Sequence, residues 1–404
     1  MPRHETRHWS PDFTAPGGRR NRRAFSYQVY VPDEIAESAP ALPTNIVALA
    51  VEAEHAAREL NLAPPQLGSL EVLARRLLRA EAVASSWIEG LRISQRRLAR
   101  AELKLEEADV TARSVLGNVV AMDMAVALAS TGRAMSLPDL LGIHRLLMQS
   151  TSRPAGAGEL RTAQNWIGGT PYNPLSAVFV PPPPEYVRPL VDDLLRFMSR
   201  DDLPAVIQAA ITHAQFETIH PFHDGNGRVG RALIHVVLRR RGIANRFVPP
   251  VSLVLATSAA QYVAGLTAYR EERLADWIDV FSHAVRSAAR RSMVLAEALQ
   301  KLQEAWLARA GARRDSSAAL LIEELAAHPV VTVESAAQIL GRSKQAANEA
   351  LATLENAGIV KQVTLGRRNR AFEAVELVQL IDAFERELAI PEGRDKPSRP
   401  APRT

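Results

Sequence analysis

Apolar residues recur at helical spacing along most of the chain. Stretches from Asn45 to Leu60 and from Ser69 to Trp87 read as two helices. The second carries Leu73, Leu77, Leu78 and Ala82 as a buried stripe and stops at Gly90. Further helical patterns cover about 94–108, 112–130, 138–149, 185–198 and 203–218. The pattern breaks at Pro221, restarts near Arg228 and runs to about Arg240. Two more helices are expected at 255–268 and 274–306, the second long enough to act as a bridge. Between these helices, residues 158–186 differ. Gly168-Gly169-Thr170-Pro171, the apolar run Ala177-Val178-Phe179-Val180 and the prolines from Pro181 to Pro184 fit a loop or hairpin rather than a helix. Near the C-terminus, helices at 318–327, 333–340 and 343–357 precede extended runs at 359–363 and 371–373, the arrangement of a winged helix-turn-helix.

The expected fold class is therefore mainly α, with a small β-hairpin and a C-terminal winged helix-turn-helix. Residues 1–24 and 386–404, rich in Arg and Pro, are expected to be flexible. The parts between divide into an N-terminal region 25–110, a core 111–295, a linker helix 296–317 and the winged helix-turn-helix 318–385. Within the first of these, Phe25–Pro32 reads as a short extended segment.

Composition narrows the chemistry. The 404 residues are 47% hydrophobic and 23% charged, a globular balance, and aromatics at 5% leave much of the packing to Ala and Leu. There is no cysteine, which excludes a disulfide framework, a thiolate nucleophile and Cys-held metal. Nothing calls for an oxidising compartment, and a cytoplasmic location is expected. No segment is expected to span a membrane. The net charge of +5 is compatible with nucleic acid without demonstrating it.

The richest chemistry lies in His220-Pro221-Phe222-His223-Asp224-Gly225-Asn226-Gly227-Arg228-Val229-Gly230-Arg231, where one helix ends and another begins. Glycines on both sides of Asn226 allow a tight turn with exposed N–H groups. Together with the positive end of the following helix they form a cradle for phosphate. Arg228 and Arg231 share a helix face and reach one polyphosphate. Asp224 suits Mg²⁺, which takes one protein carboxylate beside waters and phosphate oxygens. His220 is the group able to be neutral near pH 7 and take a proton. His223 is a weaker candidate, and His213, Tyr262 and Trp277 read as packing residues. The turn at Gly158-Glu159-Leu160-Arg161 lies near the site without an assigned role.

This run resembles the Fic-domain motif, HPFx(D/E)GNGRxxR, at every specified position. Enzymes of that family transfer AMP from ATP to a Ser, Thr or Tyr hydroxyl of a target protein. The resemblance implies that His220 is the general base and Asp224 the Mg²⁺ ligand. It further implies that Gly225, Asn226, Gly227 and Arg228 hold the α- and β-phosphates and Arg231 meets the γ-phosphate. Ser85-Ser86-Trp87-Ile88-Glu89-Gly90 resembles the family's inhibitory motif, (S/T)xxxE(G/N), so that Ser85, Glu89 and Gly90 would form a brake in which Glu89 competes for Arg231. Residues 168–184 are similar to the family's flap, with Val178, Phe179 and Val180 as an edge for docking an extended target segment. Self-modification and a homodimer are further expectations, and the target is not named. Removal of AMP, transfer of another nucleotide or phosphate group, and a DNA-associated nucleotide sensor remain open alternatives. In the C-terminal unit, Arg342, Ser343, Lys344, Gln345, Asn348, Arg367, Arg368 and Arg370 are candidate DNA contacts.

Overall fold

Two strands open the computed structural model, which describes residues 2–10, 22–62, 70–151, 154, 156–365 and 369–388. β1 (Arg3–Trp9) and β2 (Phe25–Val31) pair antiparallel, with Trp9 opposite Phe25 and Arg3 opposite Val31. The expectation of a flexible 1–24 therefore fails for Arg3–Trp9. Trp9 stacks on Phe25 at 6.3 Å between ring centroids and meets Trp166 edge-on at 5.7 Å, and this aromatic contact fixes the pairing.

Helices follow: α1 (Thr44–Leu62), α2 (Leu70–Ile88), α3 (Gln95–Leu103), α4 (Val110–Ala129) and α5 (Leu137–Gln149). Then come α6 (Pro184–Met198), α7 (Ala205–Ile219) and α8 (Asn226–Arg240). All fifteen residues of α7 are buried, so it forms the axis of the bundle. Around it and its neighbour α8 pack α1, α2, α4, α5 and α6. Among the described residues α4 is the one unbroken helix long and apolar enough to cross a membrane, which qualifies the sequence expectation. Over half of its apolar stretch is buried inside the protein, against α2, α5 and α8.

The single helix expected at 255–268 is two, α9 (Val251–Thr257) and α10 (Ala259–Arg270), bent by 101°. The chain turns at Ser258, whose carbonyl receives the Tyr262 N–H of the new helix. α11 (Leu274–Ala310) is 37 residues and so about 55 Å long. It absorbs most of the expected linker 296–317 and ends at Gly311.

Beyond it lie α12 (Ser317–Leu325), β3 (Val330–Val331), α13 (Val333–Leu340), α14 (Lys344–Asn356), β4 (Lys361–Leu365) and β5 (Asn369–Glu373). The strands form an antiparallel sheet in the order β3-β5-β4. A last helix, α15 (Val375–Leu388), was not expected from the sequence. Its Leu377, Ile381 and Phe384 enter a core shared with Leu299 and Trp306 of α11, Leu321 of α12, and Leu73 and Leu77 of α2. The C-terminal unit is thus fused to α2 by apolar packing.

The hairpin expected within 168–184 contracts to one bridge, Ile167 with Phe179. The Ile167 N–H donates to the Phe179 carbonyl and the Val178 N–H to the Ile167 carbonyl, both at 2.8 Å. A ladder goes no further because Pro181–Pro184 carry no N–H and open α6.

Candidate functional site

α7 ends at Ile219 and α8 begins at Asn226, so the motif is the connection between the two most buried helices. His220 caps α7 in the left-handed conformation, φ 50° and ψ 59°, a strained backbone for a residue with a Cβ. Asn226 closes the loop. Its Oδ1 accepts from the Phe222 N–H and its Nδ2 donates to the Phe222 carbonyl, each at 2.8 Å. The side chain assigned by resemblance to phosphate thus staples the turn, leaving its backbone amide with those of Gly227 and Arg228 in the first turn of α8. A helix leaves such amides without internal acceptors, and they carry the positive end of its dipole.

Both arginines are buried. Arg228 Nη1 donates to Ser114 Oγ of α4 at 3.0 Å, while its Nε has no partner. Arg231 is 1% exposed; its Nε donates to Ser85 Oγ at 2.9 Å and its Nη2 to the Ser85 carbonyl and Glu89 Oε1, both at 2.8 Å. Asp224 is the open side of the site, 60% exposed, with Oδ1 accepting from the Gly225 N–H at 2.6 Å. Among the described residues no three His, Asp or Glu side chains gather into a metal cluster. What fits Mg²⁺ here is one accessible carboxylate beside an anion cradle containing a buried, incompletely paired guanidinium.

Glu89 reaches this cradle from the end of α2. The Gly90 N–H donates to the Trp87 carbonyl and the Leu91 N–H to the Ser86 carbonyl, closing the helix with Gly90 at φ 80°. A carboxylate is disfavoured at a helix C-terminus, and Arg231 supplies the compensating charge. Glu89 is 39% exposed. Burial works against its ionisation, but the Arg231 cation and its hydrogen bond hold its pKa below the ordinary value. The carboxylate lies against Gly227: a Cβ there would stand 2.0 Å from Glu89 Oε1, so this close approach requires glycine. Ser85, Glu89, Gly227 and Arg231, far apart in sequence, meet at one point.

Burial, then the cations of Arg161 and Arg270, push His220 down to about 4, so its imidazole is neutral at physiological pH. Its side chain remains 18% exposed. Beneath it, burial raises Glu217 to about 7; one carboxylate oxygen stands 3.9 Å from His220 Nδ1 and the other is unpartnered.

His144 and Asn165, which sequence reading missed, and Arg161, placed near the site without a role, hold the loop. His144 of α5 stacks on Phe222 at 3.7 Å. Its Nδ1 accepts from the Gly158 N–H at 2.9 Å, so Nε2 carries the proton and donates to the Asp224 carbonyl at 3.1 Å. Arg161 and Asn165 donate to the carbonyl of His220. A polar residue on a helix's apolar face signals burial, but not what it will grip. His223 is exposed, while His213 is buried with Nε2 2.8 Å from the Tyr262 hydroxyl, and Trp277 donates to the Ala210 carbonyl.

The predicted docking residues divide. Val178 is 82% exposed, Phe179 lies under Arg270 at 3.7 Å, and the Val180 carbonyl already accepts from the Tyr30 N–H at 3.0 Å. In the C-terminal unit, Ser343 caps α14, Arg342 donates to Ser317 and the Asp315 carbonyl, Lys344 pairs with Glu334, and Gln345 donates to Glu349. Asn348 and Arg370 are exposed; Arg367 and Arg368 lie outside the described residues.

Comparison with known proteins places the loop inside a family domain. The profile of the Fic/DOC family matches residues 134–238, and that of the Fic/DOC family N-terminal region matches 47–127. The protein adenylyltransferase fic-1 of Caenorhabditis briggsae is 31% identical over 155 residues, 36% of this chain and 28% of that protein. A probable protein adenylyltransferase of Aquifex aeolicus, aq_aa38, is 41% identical over 70 residues, 17% of this chain and 22% of that protein. The chain thus spans about a quarter of the length of the curated relatives it matches. A Fic family protein of Desulfovibrio desulfuricans shares the fold, with a TM-score of 0.50 at 22% identity, over 83% of this chain and 97% of that one. The mainly α-helical chain therefore carries a Fic/DOC family domain at 134–238, preceded at 47–127 by that family's N-terminal region.

Proposed function

We propose that the protein transfers AMP from ATP to a hydroxyl of a protein and is held back by Glu89. The observation that carries this reading is a neutral, partly exposed imidazole beside a helix-end cradle with two buried arginines, one paired with Glu89 and the other with an unpartnered Nε. The first-turn amides of α8 with Arg228 bind the phosphates nearer the adenosine, and Arg231 binds the last one. His220 Nδ1 is buried without a hydrogen-bond partner, 3.9 Å from Glu217, which leaves Nε2 as the base. It takes the proton of the attacking hydroxyl as the oxygen bonds to the α-phosphorus and pyrophosphate departs. Asp224 would hold Mg²⁺, which supplies charge neutralisation to the phosphates. An extended segment of the target would dock beside the exposed side chain of Val178.

Replacing His220 with Ala tests the chemistry. With α-labelled ATP and Mg²⁺, incorporation into the protein itself should disappear while ATP binding persists. Persistent incorporation, or an adduct whose mass is not that of AMP, refutes the reading.

The brake is part of the same proposal. Glu89 occupies the cradle as an anion bound to Arg231, where the terminal phosphate of ATP would go. We further read residues 317–373 as a winged helix, on the order of its helices and its three-stranded sheet. Nucleic acid is the partner its exposed Asn348 and Arg370 suit, and duplex binding that weakens as salt rises would support it. No binding at low salt removes it.

A further inference from the structure

The base sits on a backbone that its own preferences oppose. A left-handed non-glycine residue persists only where its surroundings over-determine it. At His220 the N–H donates to the Phe216 carbonyl at 2.9 Å, which leaves its carbonyl to be fixed from outside α7. Asn165 Nδ2 reaches it at 3.4 Å, and the shorter contact comes from Arg161, whose side chain is buried in the turn before the loop at 167–179. Its Nε donates to the His220 carbonyl at 2.9 Å. Nη1 donates to the Ala163 carbonyl at 3.2 Å, and Nη2 to the carbonyl of Pro182 and, at 3.4 Å, to that of Ile219. The backbone N–H of Arg161 donates to the Pro221 carbonyl at 2.9 Å. One residue thus grips three successive carbonyls, of Ile219, His220 and Pro221, together with both roots of the loop.

We propose that Arg161 is a positioning residue for the base. It holds the left-handed turn at His220 and ties the imidazole to the loop that presents the acceptor hydroxyl. This inference rests on the transfer reading above. The guanidinium donates to four carbonyls, with Glu185 acting on it only through space, so its charge also contributes to the field around the imidazole. Lysine keeps the cation but lacks the planar fork that serves several acceptors at once. A base displaced by about 1 Å loses on the order of 10²-fold in rate while phosphate binding at α8 stays intact.

Arg161 also contributes to the electrostatics of the site. The charged groups facing His220 are Arg161, Arg270, Glu89 and Glu217, with Asp224 on the exposed side of its own loop. After burial, Arg161 is the largest influence lowering the imidazole pKa, so removing its charge raises that pKa. A base must be neutral to act, and the acidic limb of the rate profile then moves to higher pH.

The test compares R161K and R161M, both in an E89G background, by steady-state transfer from α-labelled ATP across ATP concentration and pH. We expect kcat to fall about 10²-fold in each, with KM for ATP within threefold of the parent. The acidic limb should stay in place for R161K and move upward for R161M. A kcat within threefold of the parent in R161K, the variant that keeps charge and bulk, overturns the inference; so does a loss lying wholly in KM. If the E89G parent itself transfers nothing, the transfer reading falls separately. Arg161 is then tested by NMR titration of ¹³C-labelled His220: a raised pKa in R161M supports the inference and an unchanged one overturns it.

Discussion

Replacing Glu89 with glycine removes one carboxylate from the phosphate cradle, and the structure sets the size of the effect. Arg231 loses its 2.8 Å partner but keeps both bonds to Ser85, so the guanidinium stays where it is. A hydrogen bond between charged groups contributes about 1.5–3 kcal/mol. Glu89 is 39% exposed, and solvent screening places this pair at the lower end, about 1.5–2 kcal/mol. At about 1.4 kcal/mol per factor of ten, AMP incorporation at limiting ATP should rise roughly 10- to 30-fold. The assay is incorporation from α-labelled ATP, followed by intact mass. E89Q separates charge from bulk: it keeps the side chain beside Gly227, and its gain should be smaller than that of E89G. Equal incorporation by wild type and E89G, with ATP binding unchanged, would refute the reasoning. That result would make the Glu89–Arg231 contact structural.

Two further outcomes follow from groups beneath and beside the base. Glu217 has its pKa raised to about 7 by burial, so the folded state favours its protonated form. The stability it contributes is complete below the ordinary value of 4.5 and is lost as pH rises through about 7, a change on the order of 3 kcal/mol. E217Q should therefore lose less of its Tm than wild type between pH 5 and 8; parallel curves would refute this. H144F keeps a ring against Phe222 but strands the Asp224 carbonyl and the Gly158 N–H. We expect transfer to fall about tenfold, the cost of roughly 1.4 kcal/mol for unpaired buried groups, with a higher Mg²⁺ requirement. An unchanged Mg²⁺ titration would count against His144 as a support for Asp224.

Local chemistry was more legible in the sequence than long-range support. The turn at 220–231 could be read because neighbouring residues set its backbone: glycines, a helix end and two arginines one turn apart all lie within twelve positions. Most helices were equally legible from their apolar spacing. The failures have a common cause. β1, α15 and the shared core around Trp306 depend on partners distant in the chain, and a polar strand such as Arg-His-Glu-Thr-Arg-His-Trp shows no apolar pattern of its own. Arg161 and His144 are 59 and 80 positions from the His220 and Asp224 carbonyls they hold. Nothing in the residues beside them announces that task.

Glu89 marks the boundary between the two kinds of information. The residues around it describe a surface glutamate at a helix end, where the dipole disfavours it. Its direction, however, is written in α2. Leu78 and Ala82 are buried in the core that contains α7 and α8, and one helical stripe continues from them through Ser85 to Glu89. The rotation of α2 is fixed twice, since Val72, Leu73 and Leu77 are held in the second core with α11, α12 and α15. A helix locked on both sides cannot turn its last residues away from α8. An apolar stripe that becomes polar over its final turns therefore delivers a serine and a carboxylate to whatever covers the stripe, and here that is Arg231.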